Sequence, residues 1–128
     1  MRIPILRLKG ILLTSIQVDL ADQEALEFQS DLVQEVTRSE AQGVVIDVTA
    51  LDVVDSFMAR VLNETASMAQ TLGAEVVLCG IQPSVALTLT EMGRELIGVD
   101  TALSLEQGVE RVQDLLAQRG QHHARDGD

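Results

Sequence analysis

The apolar positions of the chain follow two different periods along its length. Short runs of aliphatic and β-branched residues, bounded by glycine or polar residues, predict five strands. These runs are residues 2–9, 11–18, 43–48, 74–79 and 99–103. In the remaining segments apolar residues recur every three or four positions, which predicts helices that bury one face. Those helices begin near residues 22, 57, 83 and 105.

This order of elements predicts the class of the fold. Two opening strands followed by alternating helices and strands indicate an α/β domain with a mixed central sheet, and we expect about four helices packed mainly on one face. The length of 128 residues suits a single domain, which we place at residues 1–117. Residues 118–128 are polar and lack apolar periodicity, which predicts a disordered tail.

Composition and charge exclude several classes of partner. The formal net charge is -11, and the chain has two Phe but no Trp or Tyr. Nucleic acid and anionic membrane surfaces attract basic proteins, so we expect the chain to bind neither. No apolar run is long enough to span a membrane, and the first ten residues lack the pattern of a signal peptide. Cys79 is the only cysteine, which indicates a reducing cytoplasm.

Motifs for catalysis and for metal binding are largely missing. No glycine-rich phosphate loop of the Walker type occurs, and Gly73 and Gly80 have the wrong spacing for a dinucleotide fingerprint. His122 and His123 lie in the polar tail with no Cys or carboxylate at ligand spacing, which favours a solvated tail over a metal site. We therefore expect no enzymatic activity, no cofactor and no metal.

Two features leave a catalytic or a metal-binding role open. Cys79 ends a predicted buried strand, and a structural thiol is favoured over a nucleophile because no histidine in the folded part could activate it. Asp47, Asp52 and Asp55 cluster near the carboxyl end of a strand, where α/β folds often bind ligands. They could hold Mg²⁺, but no phosphate-binding motif or second set of ligands accompanies them.

Asp55 and Ser56 lie at the start of the second predicted helix. Either side chain can cap that helix, because serine and aspartate both accept hydrogen bonds from the first free amides. A serine hydroxyl at a helix N-terminus is also a place where a phosphate can be added and recognised. The two roles are compatible, so the sequence leaves both open.

The residues around Ser56 resemble a known family. This part of the chain resembles the STAS domain of anti-sigma-factor antagonists. The resemblance lies in an apolar strand that ends in Asp47, a loop with Leu51 and Asp52, and a helix that begins with Asp55 and Ser56. The resemblance covers roughly residues 3–117. Sporulation-type antagonists usually have Asp-Ser-Ser-Gly or Asp-Ser-Thr-Gly here, whereas this chain has Asp-Ser-Phe-Met-Ala-Arg-Val-Leu at residues 55–62. That run, together with residues 80–89, is similar to the RsbS type, the scaffold of the stressosome.

The resemblance implies a non-enzymatic stress-signalling scaffold. It would co-assemble with RsbR-type proteins, sequester an RsbT-type serine/threonine kinase and release it when Ser56 is phosphorylated; an RsbX-type phosphatase would reset it. A homodimer is also expected. The second acceptor of RsbR-type proteins is not supported, because residues 21–23 contain no hydroxyl. We predict that partners bind around the acceptor at Asp52, Asp55, Phe57, Met58 and Arg60.

Two other functions stay open from the sequence. A direct anti-sigma-factor antagonist would bind an anti-sigma kinase as a monomer and would not form large particles. A small-ligand-binding α/β domain would need a polar pocket, which the sequence does not indicate.

Overall fold

A computed structural model describes residues 3–91 and 99–126, with side chains described as far as residue 120. Five strands and four helices follow one another in the predicted order within these residues. The elements are β1 (Ile5–Leu8), β2 (Ile11–Ser15), α1 (Asp22–Ser39), β3 (Gly43–Asp47), α2 (Ser56–Thr71), β4 (Glu75–Cys79), α3 (Pro83–Glu91), β5 (Asp100–Ala102) and α4 (Leu105–Asp126).

The strands form one mixed sheet in the order β1-β2-β3-β4-β5. β1 and β2 are antiparallel, and all later neighbours are parallel. The turn between β1 and β2 has two residues, Lys9 at φ 50° and Gly10 at φ 79°. Positive φ at both central residues is typical of the tight hairpin turn that matches strand twist. The predicted mixed sheet is therefore confirmed.

Three of the four helices cover one face of the sheet, as predicted, and the fourth covers the other. Neighbouring residues of the central strands point to opposite faces: Val44 and Ile46 belong to the larger core, and Val45 belongs to the smaller one. Burying both faces explains why these strands have no polar alternation. The larger core takes buried residues from α1 (Ala25, Phe28, Leu32, Val36), α2 (Ala59, Val61, Leu62, Ala66, Ala69) and α3 (Val85, Leu89), and the smaller core takes Val112 from α4.

Helix α4 is longer than the sequence predicts. It continues to Asp126, so the prediction of a disordered tail is wrong for residues 118–126, and residues 127–128 lie outside the described residues. The Arg119 guanidinium donates to the Gly73 carbonyl at 3.0 Å and to a Glu75 carboxylate oxygen at 2.7 Å. These contacts hold the helix against the start of β4, and the Gln, Ala and Arg residues of this segment have good helix propensity.

Candidate functional site

The loop of residues 48–55 lies where the parallel strands end and leads from β3 into α2. Hydrogen bonds tie it to the neighbouring β4–α3 connection. The Val48 amide donates to the Cys79 carbonyl at 2.9 Å, the Gln82 side chain donates to the Thr49 carbonyl at 2.7 Å, and the Ser84 hydroxyl donates to the Asp52 carbonyl at 2.6 Å. Because this loop is anchored by its backbone, the start of α2 has a fixed position.

Asp55 caps helix α2. Its backbone is extended, and its Oδ1 accepts a hydrogen bond from the Met58 amide at 2.8 Å. Ser56 is the first residue of the helix and is exposed, and its hydroxyl makes no hydrogen bond within the described part of the chain. Of the two side chains that could cap this helix, Asp55 is therefore the one that does, and Ser56 is exposed at the helix N-terminus.

Removing the Asp55 carboxylate tests whether this side chain caps α2. Replacing Asp55 by alanine leaves the Met58 amide without its acceptor, so we expect the free energy of unfolding to fall by about 1 kcal/mol. Asp52 is a matched control because it is also exposed and its carboxylate has no partner among the described residues. Asp52→Ala should change stability by less than about 0.5 kcal/mol. Urea unfolding followed by circular dichroism measures both, and equal losses would contradict the assignment of the cap.

The predicted partner-binding residues differ in their exposure. Asp52, Asp55 and Arg60 are exposed, and Phe57 is half-buried against the larger core. Met58 is only 8% exposed and belongs to that core. The first turn of α2 directs Met58 inwards, and contact between Met58 and a partner stays a prediction.

Val53 is a surface residue that the sequence does not single out. It is 72% exposed, whereas the adjacent Val54 is buried. In a loop, two neighbouring valines give no period from which the buried one can be predicted. The exposed Val53 lies three residues before Ser56 and adds an apolar contact to this surface.

The surface beside Ser56 is acidic and has a shallow depression. A cavity of about 220 Å³ is lined by Asp19, Leu20, Leu51, Val53, Asp55 and Met58. The Asp47 carboxylate does not line this depression. It accepts hydrogen bonds from the Ser15 hydroxyl at 3.1 Å and from the Thr49 amide at 3.0 Å. No group of three or more His, Cys, Asp or Glu side chains placed to hold a metal ion occurs in residues 3–91 and 99–120. The surface beside Ser56 therefore presents a hydroxyl, carboxylates and apolar side chains to a partner.

The Cys79 thiol is fully buried between the sheet and α4. Desolvation by burial raises the pKa of this thiol to about 12, and the negative charge of Asp47 adds to the shift. A thiol with so high a pKa is protonated at neutral pH and is a poor nucleophile. The structural role favoured from the sequence fits this environment.

The chain matches a known domain family. Residues 2–107 match the STAS domain. The chain belongs to the STAS domain family. The resemblance stated from the sequence is confirmed, and it extends to the RsbS type. A solved structure of a serine-to-glutamate variant of RsbS from Moorella thermoacetica has 42% sequence identity and a TM-score of 0.84, covering 91% of this chain and 99% of that chain.

The chain is also similar to two further proteins. A chain in a structure describing the molecular architecture of the stressosome has 43% identity and a TM-score of 0.79, covering 88% of this chain and 98% of that one. The RsbT co-antagonist protein RsbRA of Bacillus subtilis (strain 168) is 30% identical over 88 residues, which is 69% of this chain. The chain spans 32% of the length of that relative. Among the described helices, none combines the length and the apolar character needed to cross a membrane.

Proposed function

We propose that this STAS domain is a stressosome scaffold of the RsbS type, regulated by phosphorylation of Ser56. The observation that carries the proposal is the exposed Ser56 hydroxyl at the N-terminus of α2, which makes no hydrogen bond to the described residues and is presented by an anchored loop. A regulated acceptor must be accessible to a kinase, and the Asp55 cap leaves this hydroxyl unused. The similarity to RsbS and stressosome chains over most of this chain supports the same role.

The proposed partners follow from these relatives. RsbR-type STAS proteins would co-assemble with the chain, and an RsbT-type kinase would bind the surface formed by Asp52, Val53, Asp55, Phe57 and Arg60. The name of the curated relative, an RsbT co-antagonist, supports the link to that kinase. An RsbX-type phosphatase would remove the phosphate, and the scaffold itself would form a homodimer and have no enzymatic activity. The cytoplasmic location remains a prediction from the lone cysteine.

A phosphate at Ser56 suits the local geometry of the domain. The modification adds about -1.5 to -2 charges at neutral pH. The free amides and dipole of the α2 N-terminus favour that charge, whereas Asp52 and Asp55 oppose it. Because the two effects have opposite signs, we expect the stability of the domain to change little. The change in charge would then act mainly on the bound partner.

Mass spectrometry after incubation with the cognate switch kinase and ATP tests the acceptor. We expect one phosphate on the unmodified protein, mapped to Ser56, and none on Ser56→Ala. Ser84→Ala is a matched control, because Ser84 also lies in the first turn of a helix but its hydroxyl is already bonded to the Asp52 carbonyl. It should be phosphorylated like the unmodified protein. Equal phosphorylation of Ser56→Ala would contradict the proposal.

Light scattering after size-exclusion chromatography tests the scaffold. With an RsbR-type partner, the chain should enter particles far larger than either protein alone. The direct anti-sigma-factor antagonist remains the second candidate, and it would form only a small complex with its kinase. The likeness to the antagonist SpoIIAA, at 9% identity and a TM-score of 0.68, shows a shared fold.

A further inference from the structure

Basic residues are almost missing from the long central stretch of the chain that contains Ser56. Residues 10–93 include only two Lys or Arg residues, Arg38 and Arg60. Arg38 lies in the last turn of α1 and is already paired with the Glu35 carboxylate at 2.7 Å. Arg60 is therefore the one basic residue of this stretch that lies near Ser56 along the chain.

Ser56 and Arg60 lie one turn apart on the same face of α2. Both are exposed in this helix, whereas Ala59 and Val61, on either side of Arg60, are buried. Residues four positions apart on a helix have Cβ atoms about 5–6 Å from each other, so their side chains can meet. The long side chain of Arg60 can therefore reach back to a group attached to the Ser56 oxygen.

Arg60 is not engaged by another charge in the unmodified domain. It forms no ion pair with any residue that the structure describes, although Glu64 is exposed one turn further along α2. A helical pair is weaker when the acidic residue follows the basic one, because the helix dipole favours negative charge near the N-terminus. A negative charge at position 56 would precede Arg60 and would have the stronger orientation.

The other charged side chains that the described loops place near Ser56 are carboxylates. Asp55 precedes Ser56, Asp52 lies in the same loop, and Asp19 of the β2–α1 connection lines one depression together with Asp55. A phosphate carries about -1.5 to -2 charges at neutral pH, so these carboxylates would repel it and Arg60 would attract it. A guanidinium can also donate two parallel hydrogen bonds to phosphate oxygens.

We propose that Arg60 binds the phosphate once Ser56 is phosphorylated. The guanidinium donates charge-assisted hydrogen bonds to the phosphate oxygens and holds the modified side chain along the first turn of α2. This role rests on the phosphorylation of Ser56 in the proposed function and adds the residue that recognises the modified state. Phosphorylation then changes two groups of the partner-binding surface, because it adds the phosphate and also engages Arg60.

This pair leaves the phosphate hydrated. Ser56 and Arg60 are both exposed, and ion pairs between exposed side chains contribute little to stability. The domain should therefore unfold at nearly the same temperature with and without the phosphate. A partner that covers this surface would still have to desolvate the phosphate and the guanidinium together.

The second pKa of the phosphate measures the contact. Full-length protein with phosphoserine incorporated at position 56 during synthesis needs no kinase, and phosphorus-31 NMR follows the titration of its phosphate. A neighbouring cation favours the dianion, so Arg60→Gln should raise this pKa by about 0.3 relative to the protein that retains Arg60. The difference should shrink in 1 M salt, because the pair is exposed to solvent and is screened there.

Two further variants separate the contact from a general effect of charge. Arg38→Gln is the matched control, because it removes the same charge from another exposed helical arginine, which precedes β3 whereas Ser56 follows it. It should leave the pKa of the phosphate unchanged. Arg60→Lys should retain part of the effect, since lysine keeps the charge but lacks the planar pair of donors. Circular dichroism melts check that the variants fold, and both replacement residues have good helix propensity.

The outcomes separate this contact from the proposed function. A higher pKa of the phosphate in Arg60→Gln, with no change in Arg38→Gln, supports the inference. Equal values with and without Arg60, or the same rise in Arg38→Gln, overturn it and leave the phosphorylation of Ser56 as proposed. If mass spectrometry shows that the cognate kinase does not modify Ser56, the proposed function is wrong and Arg60 has no such role in regulation.

Discussion

Phosphorylation of Ser56 is expected to weaken binding of an RsbT-type kinase by about a hundredfold or more. The phosphate would add about -1.5 to -2 charges beside Asp52 and Asp55, on a surface that also contains the exposed Val53. A kinase that buries these groups would have to desolvate the phosphate, and without a paired arginine this costs several kcal/mol. A loss of about 2.7 kcal/mol already corresponds to a hundredfold change in affinity.

Titration calorimetry with authentically phosphorylated protein measures this effect. Ser56→Ala is the matched control, because it removes the hydroxyl without adding charge and leaves the Asp55 cap in place. It should bind the kinase with nearly the affinity of the unmodified protein. Ser56→Asp should fall between the two, since one carboxylate carries less charge than a phosphate. Indistinguishable affinities of the phosphorylated protein and Ser56→Ala would rule out this switch.

Alanine at Gly80 is expected to destabilise the domain by about 3 kcal/mol or more. Gly80 has φ +75°, and an added Cβ would lie 1.8 Å from Thr49 Oγ1 and 3.0 Å from Thr49 Cα. The left-handed backbone alone costs alanine about 1–2 kcal/mol. The contact adds to this cost, because a backbone atom cannot turn aside as a side chain does and the loop that presents Ser56 must shift.

Gly10 provides the control for the backbone contribution. It has φ +79°, and an added Cβ there would meet nothing within 4 Å. Gly10→Ala should therefore cost only about 1–2 kcal/mol. Urea unfolding of both variants measures the difference. If Gly80→Ala loses no more stability than Gly10→Ala, the close approach between the β4–α3 turn and the loop before α2 does not constrain the fold.

The order of elements and the place of Ser56 could be predicted from the sequence because both depend on short-range signals. The short run rich in β-branched residues at 43–48 indicates a strand buried on both faces, and β3 has that environment. The helical spacing after residue 56 likewise places the N-terminus of α2 within one residue. These signals come from neighbours a few positions apart, so they are already present in the chain.

The exposure of individual side chains could not be predicted in the same way. Met58 and Val53 each lie within three residues of Ser56, yet one is buried and the other is exposed. Which side of the first helical turn faces the core depends on how α2 packs on the sheet and on α1. Similarly, the prediction of disorder after residue 117 considered only local polarity, and the contacts of Arg119 with Gly73 and Glu75 link residues more than forty positions apart.

By itself the sequence determined the α/β class, the succession of strands and helices, the resemblance to STAS domains and the serine at the start of α2. Only the tertiary structure decided that Asp55 is the cap, that the Ser56 hydroxyl has no hydrogen-bond partner among the described residues, that α4 covers the second face and that β1 is the outer strand of the described sheet. The physical reason is the range of the interactions. Periodicity and helix-start signals act over one or two turns of chain, whereas burial, anchoring of the loop and open edges depend on residues that folding brings together.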